Sequence, residues 1–324
     1  MRPFPILIAV AAGLFLAGCS PIARYPAVGT VAGQQVDTLV DSEDAVRYLQ
    51  DPTCRPEEQA DPYDRESLQR LSERRSVDFA AAWFAEALYD QAANKRAQDA
   101  FHDAVAASAG PEGRPAHLLV FVPGYGYERN PETGADFAGP RAILEKQGYR
   151  TLLIETDELG TVEENAAILA ERLRELAENE SRIVLVSTSK GGPEVALALG
   201  ELLTAGESAN VQAWISVGGL LRGSPQADRA LRWPKRWFAK TVLWFKGLRP
   251  GIIENLSTPV RRPAFDRLRF PSHVLMAQYV GVPLSGQVGR KVRGRYRKMR
   301  RLGPNDGLTL LADQLVPGGI VVTD

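Results

Sequence analysis

The spacing of hydrophobic residues changes at about residue 115 of this 324-residue chain. Between residues 41 and 110 the apolar positions recur at helical spacing, most clearly in the run 80–89 (AAAWFAEALY), whose residues also have high helix propensity. A proline-bearing stretch at residues 51–62 divides this region into at least two helical segments. The pattern predicts a helical N-terminal appendage packed on a larger domain.

From residue 115 onward, short continuous apolar runs alternate with segments of helical spacing. Continuous apolar runs are typical of strands that are buried on both faces of a sheet. Strands are predicted at residues 118–122, 150–156, 183–186, 211–217, 274–279 and 319–323, and helices at 139–147, 161–177 and 193–203. This alternation predicts the α/β class, with a mostly parallel sheet and helices on both faces.

The N-terminus has the pattern of an export signal. Arg2 precedes an apolar run from Phe4 to Leu16, which is too short to span a bilayer as a helix, since that takes about 20 residues. The sequence Leu-Ala-Gly-Cys that ends at Cys19 resembles a bacterial lipobox. The resemblance implies removal of residues 1–18 and acylation of Cys19; the alternative is an ordinary signal peptide with a chance cysteine. The expected location is the cell envelope, at the outer membrane, facing the periplasm or the surface.

The remaining boundaries follow from composition. Residues 19–40 are small, polar and glycine-containing, which predicts a tether between the lipid and the fold. Residues 41–110 form the helical region, and residues 115–324 form the α/β domain. Within that domain, the segment at about residues 222–270 has the position and length of a lid.

Composition and charge limit the classes of function. The 44% hydrophobic and 24% charged residues are typical of a globular protein, and two cysteines are too few for a disulfide framework or a four-ligand zinc site. No metal motif or glycine-rich phosphate loop is recognisable, so no cofactor is expected. The formal net charge is zero, but residues 222–301 contain 20 Lys and Arg against 3 acidic residues. The local field in that segment therefore matters more than the net charge.

The candidate chemistry lies in residues 187–192, Ser-Thr-Ser-Lys-Gly-Gly, between a predicted strand and a predicted helix. This order of elements is the context of a nucleophile elbow, whose turn exposes the hydroxyl of a central serine, here Ser189. The two backbones approach closely there, so the flanking positions must be small. Gly191 is small, and Ser187 stands where the usual pattern has glycine. A helix-capping serine is the alternative, but the context favours a nucleophile.

Together, these residues make the stretch from His117 to about Asp228 resemble the α/β-hydrolase fold, most closely the secreted bacterial lipases and esterases. The matching runs are residues 121–126 (FVPGYG), 187–192 and 216–225 (SVGGLLRGSP), and residues 305–308 (NDGL) resemble the acid-bearing turn of those enzymes. The resemblance implies attack by Ser189 on an acyl carbonyl and an oxyanion hole formed by the backbone N–H groups of Lys190 and Tyr125. It also implies that Asp306 orients the base; an ordinary turn aspartate is the alternative.

The base itself is missing from the expected place. In this fold a histidine follows the acid and the last strand, but no histidine follows Asp306. His102, His117 and His273 are expected to be structural, and the Lys190 side chain leaves the elbow in another direction from Ser189. A truncated chain, a pseudo-hydrolase and an unrecognised base remain as explanations, of which truncation is favoured. Without a base, only the oxyanion-hole residual of about 10³–10⁴-fold over water is expected.

Two segments of the chain are strongly basic. The stretch from Lys235 to Leu248 predicts a helix with cations on one side and tryptophans on the other, which is typical of an interfacial segment; a helix that covers the active-site pocket fits equally well. Residues 290–301 carry eight cations, for which a solvated helix face is favoured over anionic lipid headgroups. Nucleic acid is not an expected partner of an exported protein.

The sequence therefore predicts a lipid-anchored envelope serine hydrolase of the esterase or lipase type. Its expected substrates are carboxylic esters that are lipid-like or have a large acyl part. The alternative from another class is a non-catalytic pseudo-hydrolase that acts as an envelope binding or scaffolding protein.

Overall fold

A computed structural model of the protein describes residues 24–51, 53, 60–107, 116–232 and 251–324. The described strands are β1 (Tyr25–Val31), β2 (Gln34–Val40), β3 (Leu118–Val122), β4 (Arg150–Leu153), β5 (Ile183–Thr188), β6 (Val211–Val217), β7 (Leu275–Val280) and β8 (Ile320–Thr323). Strands β3 to β8 form one sheet in the order β4-β3-β5-β6-β7-β8, and every neighbouring pair is parallel. The predicted α/β class with a parallel sheet is confirmed.

The described helices come before, between and after the strands of this sheet. They are α1 (Glu43–Gln50), α2 (Arg65–Arg74), α3 (Val77–Tyr89), α4 (Ala92–Ala107), α5 (Ala138–Lys146), α6 (Val162–Ala177), α7 (Gly191–Leu197), α8 (Pro225–Leu231), α9 (Gly251–Asn255), α10 (Thr258–Asp266) and α11 (Arg290–Met299). Helix α6 begins with the predicted capping box, in which Thr161 and Glu164 bond each other's backbone N–H. A π-helical turn, Ala198–Leu202, continues α7. Helices α5, α6 and α7 each follow a strand of this parallel sheet, so the connections that lead into them leave from its carboxyl edge.

Two hydrophobic cores hold the sheet. One joins β3, β5 and β6 to α6, α7 and α10 through residues such as Val120, Leu185 and Trp214, all at most 1% exposed. The other joins β7 and β8 to helices α1 to α3, with Phe84 and Leu88 fully buried. The N-terminal helices therefore share a core with the last strands of the sheet.

The predicted tether is corrected over residues 25–40, which form an antiparallel hairpin of β1 and β2. Its strands alternate between buried and exposed positions, with Ala27, Val36 and Val40 turned toward the N-terminal core. The hairpin turns at Ala32 and Gly33, both with positive φ. The alternation is hard to recognise in the sequence because several residues of β1 are small. Close packing against α1 requires a small residue there, since a Cβ on Gly29 would lie 2.0 Å from a carbonyl oxygen of that helix.

Helix α4 takes the place of a neighbouring strand at the free edge of β8. The backbone N–H groups of Val321 and Thr323 donate to the side-chain oxygens of Asn94 and Gln98, each at 2.9 Å. The Gln98 amide also donates to the Ala32 carbonyl of the hairpin at 2.8 Å. Both amides are buried, so this part of the edge offers no free N–H to another chain.

Several predicted segments lie outside the described residues: the signal peptide, the acylation site Cys19 and the basic aromatic stretch from Lys235 to Leu248. The described part of the predicted insertion at residues 222–270 is mainly helical and comprises α8, α9 and α10. In the part of the chain that the structure describes, no helix combines the length and apolar character that a membrane crossing requires.

Candidate active site

Ser189 occupies a sharp turn between β5 and α7. Its φ is 51°, in the left-handed region that a residue with a Cβ rarely adopts. The strand ends at Thr188 and the helix begins at Gly191, so the chain reverses within two residues. The Ser189 side chain is half-buried, and its hydroxyl makes no hydrogen bond with the described residues. A strained strand–turn–helix with an unengaged serine hydroxyl is the geometry of a nucleophile elbow.

The positions on either side of the elbow must be small because the backbones meet there. A Cβ on Gly191 would lie 2.7 Å from the carbonyl oxygens of both Val122 and Pro123. Ser187, two residues before Ser189, is fully buried, and its hydroxyl accepts a hydrogen bond of 2.9 Å from the Trp214 indole. A serine is therefore tolerated in place of the usual glycine because its hydroxyl has a partner on the neighbouring strand.

The loop after β3 passes directly beside the elbow. A Cβ on Gly124 would lie 3.3 Å from the Cβ of Ser189, and Tyr125 is the next residue. Among the described residues, neither the Tyr125 nor the Lys190 backbone N–H donates to another backbone or side-chain group. Both backbone N–H groups thus lie near Ser189 without a hydrogen-bond acceptor among the described residues. Their role as an oxyanion hole stays a prediction.

The Lys190 side chain turns away from the serine into the protein interior. Its ammonium pairs with Glu194 Oε1 at 2.7 Å and donates to the Asp157 carbonyl at 3.3 Å. The Asn165 amide donates to the same Glu194 oxygen at 2.7 Å, and Lys190, Glu194 and Asn165 are all at most 2% exposed. This buried cluster ties the turn after β5 to α6 and α7. Sequence analysis missed it, although the i, i+4 spacing of Lys190 and Glu194 is its visible signal.

Burial disfavours the charge on Glu194. It raises the pKa of this carboxyl to about 7, against the opposing effects of the Lys190 ammonium and the Asn165 amide. Two oxygens of the cluster, Glu194 Oε2 and Asn165 Oδ1, are buried without a hydrogen-bond partner among the described residues. Such atoms are rare in folded proteins, because a buried polar atom without a partner lowers the stability of the fold. The Lys190 ammonium is committed to this cluster, which agrees with the expectation that it does not replace the missing base.

Asp306 lies in the connection between β7 and β8, at a tight turn. Its Oδ1 accepts hydrogen bonds from the backbone N–H groups of Leu308 at 2.7 Å and Thr309 at 2.8 Å, and its Oδ2 accepts one from Gln314 at 3.2 Å. Burial raises the pKa of Asp306, and these donors oppose the rise. The carboxylate thus makes the contacts of a turn aspartate. Its predicted role in orienting a base remains untested.

The chain after β6 connects the two predicted catalytic positions. The Leu220 N–H donates to the Ser189 carbonyl at 3.0 Å. A few residues on, the Gly223 carbonyl accepts a hydrogen bond of 2.7 Å from Thr309 in the Asp306 turn. Ser189 and Asp306 therefore lie on either side of one short segment at the carboxyl edge of the sheet, without direct contact.

The three histidines of the chain are all described, and none hydrogen-bonds Ser189 or Asp306. His117 precedes β3 and bonds Gln212 at 2.8 Å, and His273 precedes β7 and bonds the Ser208 carbonyl at 3.0 Å. Both thus lie at the amino edge of the sheet, opposite to the serine. His102 on α4 lies 2.9 Å from the Gln34 amide. The described residues also contain no cluster of His, Cys, Asp and Glu that could hold a metal ion.

Solved structures that resemble this chain include a carboxyl esterase and a lipase. A metagenomic carboxyl esterase is 28% identical, with a TM-score of 0.52 over 66% of this chain and 67% of that chain. The mature lipase BlEst2 of Bacillus licheniformis is 21% identical, with a TM-score of 0.52 over 67% of this chain and 86% of that chain. Its propeptide form is also 21% identical, with a TM-score of 0.53 over 66% and 46%. No protein-family model matches the chain, and no curated protein sequence does.

These neighbours and the parallel sheet with its helices define the class of fold as that of the α/β hydrolases. At 28% identity, the likeness to a carboxyl esterase also supports a hydrolase of the esterase type.

Proposed function

We propose that this protein is a serine hydrolase that cleaves carboxylic esters through an acyl-enzyme on Ser189. The observation that carries the proposal is the left-handed φ of 51° at Ser189, which holds an unengaged hydroxyl at the carboxyl edge of the sheet. A strained backbone persists only where the surrounding structure over-determines it, as the close contacts of Gly191 and Gly124 do here. The carboxyl esterase among the structural neighbours supports the ester class.

In the proposed reaction, Ser189 Oγ loses its proton to a base and forms a bond with the ester carbonyl carbon. The negative charge on the carbonyl oxygen is held by the backbone N–H groups of Lys190 and Tyr125. The bond from the carbonyl carbon to the alkoxy oxygen then breaks, and the alcohol leaves with the proton. Water repeats the sequence on the acyl-enzyme and releases the acid. Asp306 would orient the base, which none of the three histidines supplies in the described contacts.

The substrate and location are further parts of this proposal. The lipobox-like ending at Cys19 supports a lipid anchor in the cell envelope, and an enzyme held there meets esters that are lipid-like. The basic aromatic stretch from Lys235 to Leu248 supports contact with the same membrane or cover of the acyl pocket.

A non-catalytic binding protein that keeps this fold is the second candidate. It is favoured by one observation, the absence of any histidine contact to Ser189 or Asp306. A protein of this kind would hold an ester or acyl group at the elbow without cleaving it.

Labelling with a fluorophosphonate separates the two candidates. The full chain, incubated for hours to allow for a slow base-deficient reaction, should gain one adduct on the peptide that contains Ser189. Ser189→Ala should abolish the adduct, whereas Ser216→Ala, which changes a buried serine of β6, should leave it unchanged. A folded full chain that gains no adduct would overturn the hydrolase proposal in favour of the binding protein.

A further inference from the structure

Residues 290–301, on α11 and the turn after it, form a cationic surface that we call the basic ridge. Eight Lys and Arg side chains lie in this stretch, and none forms an ion pair with a described residue. Six of them are exposed: Arg290, Lys291, Arg295, Arg297, Lys298 and Arg301. By contrast, Arg261 and Arg262 on α10 pair with Glu163 and Asp313. Concentrated charge that forms no ion pair among the described residues attracts an anionic partner.

The basic ridge is seated firmly on the fold. Tyr296 and Met299 are buried beneath it, and the Tyr296 hydroxyl donates to the buried Asp78 carboxyl at 3.3 Å. The same carboxyl accepts hydrogen bonds from the Ser285 backbone N–H at 2.7 Å and hydroxyl at 2.6 Å. The cations are therefore presented by a fixed helix, so little backbone conformational entropy is lost when they bind.

The start of the described chain reaches the same place. Arg24 lines one small cavity with Arg293, Arg297 and Arg300, and the Asp41 carboxylate offsets part of their charge. Arg24 follows Cys19 by five residues, and five residues of extended chain span at most about 18 Å. An acyl group on Cys19 would therefore hold the basic ridge close to the membrane surface.

We infer that the basic ridge docks on the anionic headgroups of the membrane that holds the anchor, with lipid phosphate groups as its direct partners. The inference rests on the proposed anchor at Cys19 and not on ester hydrolysis. A lipid chain combined with a polybasic patch gives stable attachment, and each Lys or Arg near an anionic surface raises the affinity about fivefold.

Docking at the basic ridge also orients the candidate site. A Cβ on Gly307, in the Asp306 turn, would lie 2.3 Å from the Val292 side chain of α11. On the other side, the Gln226 amide of α8 lies 3.5 Å from the Arg295 carbonyl. The acid-bearing turn thus packs against the docking helix, so docking would hold the candidate site near the membrane surface.

Arginine modification in nanodiscs tests this inference on the full chain. The acylated chain is reconstituted in phosphatidylcholine discs with or without about 30% phosphatidylglycerol, treated with phenylglyoxal and mapped by mass spectrometry. In anionic discs we expect the arginines of the basic ridge to be modified several-fold more slowly, with the protection lost at about 0.5 M salt. Arg96 and Arg182, which are exposed and unpaired among the described residues, should react equally in both discs.

Two results would overturn the inference, and two further readouts separate it from the anchor and from the hydrolase. Equal modification of the basic ridge in both discs would overturn it, and so would equal protection by inorganic phosphate in neutral discs, which would indicate a site for free phosphate. Co-elution of the chain with neutral discs reports the anchor separately, and fluorophosphonate labelling reports the hydrolase separately.

A pair of variants with equal loss of charge provides the second measurement. Arg295→Gln/Arg297→Gln/Lys298→Gln should weaken binding to phosphatidylglycerol vesicles about tenfold or more. Arg96→Gln/Lys146→Gln/Arg182→Gln removes three exposed cations elsewhere and should leave it within about twofold. Equal weakening by both variants would show that only the net charge matters and would overturn a specific docking surface.

Discussion

The elbow half and the acid half of the candidate site are built by different means. At the elbow, Ser189, Lys190 and Tyr125 are positioned by the backbone, and Lys190 forms a buried ion pair with Glu194. At the acid half, Asp306 accepts hydrogen bonds from backbone N–H groups of its turn and from one side-chain amide. Its predicted function also requires a base outside this turn. The geometry of the elbow comes from local segments, whereas none of the three histidines contacts the acid half.

The largest expected effect comes from removing the anion behind the elbow. Glu194→Ala leaves the buried Lys190 ammonium unpaired and should lower the free energy of unfolding by about 3–5 kcal/mol. Urea unfolding above pH 7, where Glu194 is mainly ionised, measures the loss. The double variant Lys190→Met/Glu194→Leu removes both charges and should recover most of the stability, because no unpaired charge remains. A single variant as stable as the parent would show that the elbow does not depend on this pair.

The second prediction concerns pH. Because the pKa of Glu194 is raised to about 7 in the folded state, the folded protein holds this proton more tightly than the unfolded chain does. The tighter binding of this proton stabilises the folded state fully at pH values below the ordinary pKa of glutamate. This stabilisation, which is up to about 3 kcal/mol, is lost as the pH rises through about 7. Glu194→Gln should flatten this part of the curve in urea unfolding at a series of pH values. An unchanged slope would assign it to other groups, such as Asp78, whose pKa is also raised to about 7 by burial and the nearby Asp41.

The third prediction breaks the elbow by its backbone contacts. Gly191→Ala places a Cβ 2.7 Å from two carbonyl oxygens and should cost about 1–3 kcal/mol of stability. It should also slow fluorophosphonate labelling, since the turn must shift. Gly139→Ala, at a helical glycine with open space around it, is the matched control and should be neutral or slightly stabilising. Normal labelling of Gly191→Ala would mean that Ser189 keeps its position even when the helix lies farther from the backbone after β3.

The smallest expected effect separates the two halves. Thr309→Val removes the hydrogen bond from the acid turn to the Gly223 carbonyl and should cost about 1 kcal/mol. Labelling of Ser189 should stay within about twofold, because the elbow does not use this bond. A parallel loss of stability and labelling would show that the halves are one unit.

Much of the fold could be predicted because its signals are local. The bounds of β3 and β6 match the apolar runs that predict them, and α6 begins at its predicted capping box. The second strand is shorter than expected, since β4 ends at Leu153. The strand–turn–helix at Ser189 was visible because a few small residues encode it.

Other features depend on residues that are distant in sequence. The hairpin of β1 and β2 was missed because its small residues become meaningful only against α1. Asn165 joins Glu194 across 29 positions, and no local pattern announces that pairing. The roles of Tyr125, Lys190 and Asp306 remain predictions.

The side-chain amides that close the edge of β8 also have a consequence for the order of folding. Asn94 and Gln98 meet Val321 and Thr323, about 225 residues later in the chain. Until the last strand arrives, the N-terminal helices keep an apolar face exposed, and the side-chain oxygens of Asn94 and Gln98 lack the N–H groups that they accept from in the folded protein. Such distant contacts slow folding and leave intermediates that associate easily. We therefore expect the yield of folded protein to be limited by the rate at which the two ends of the chain meet, and to rise when a chaperone shields the early helices.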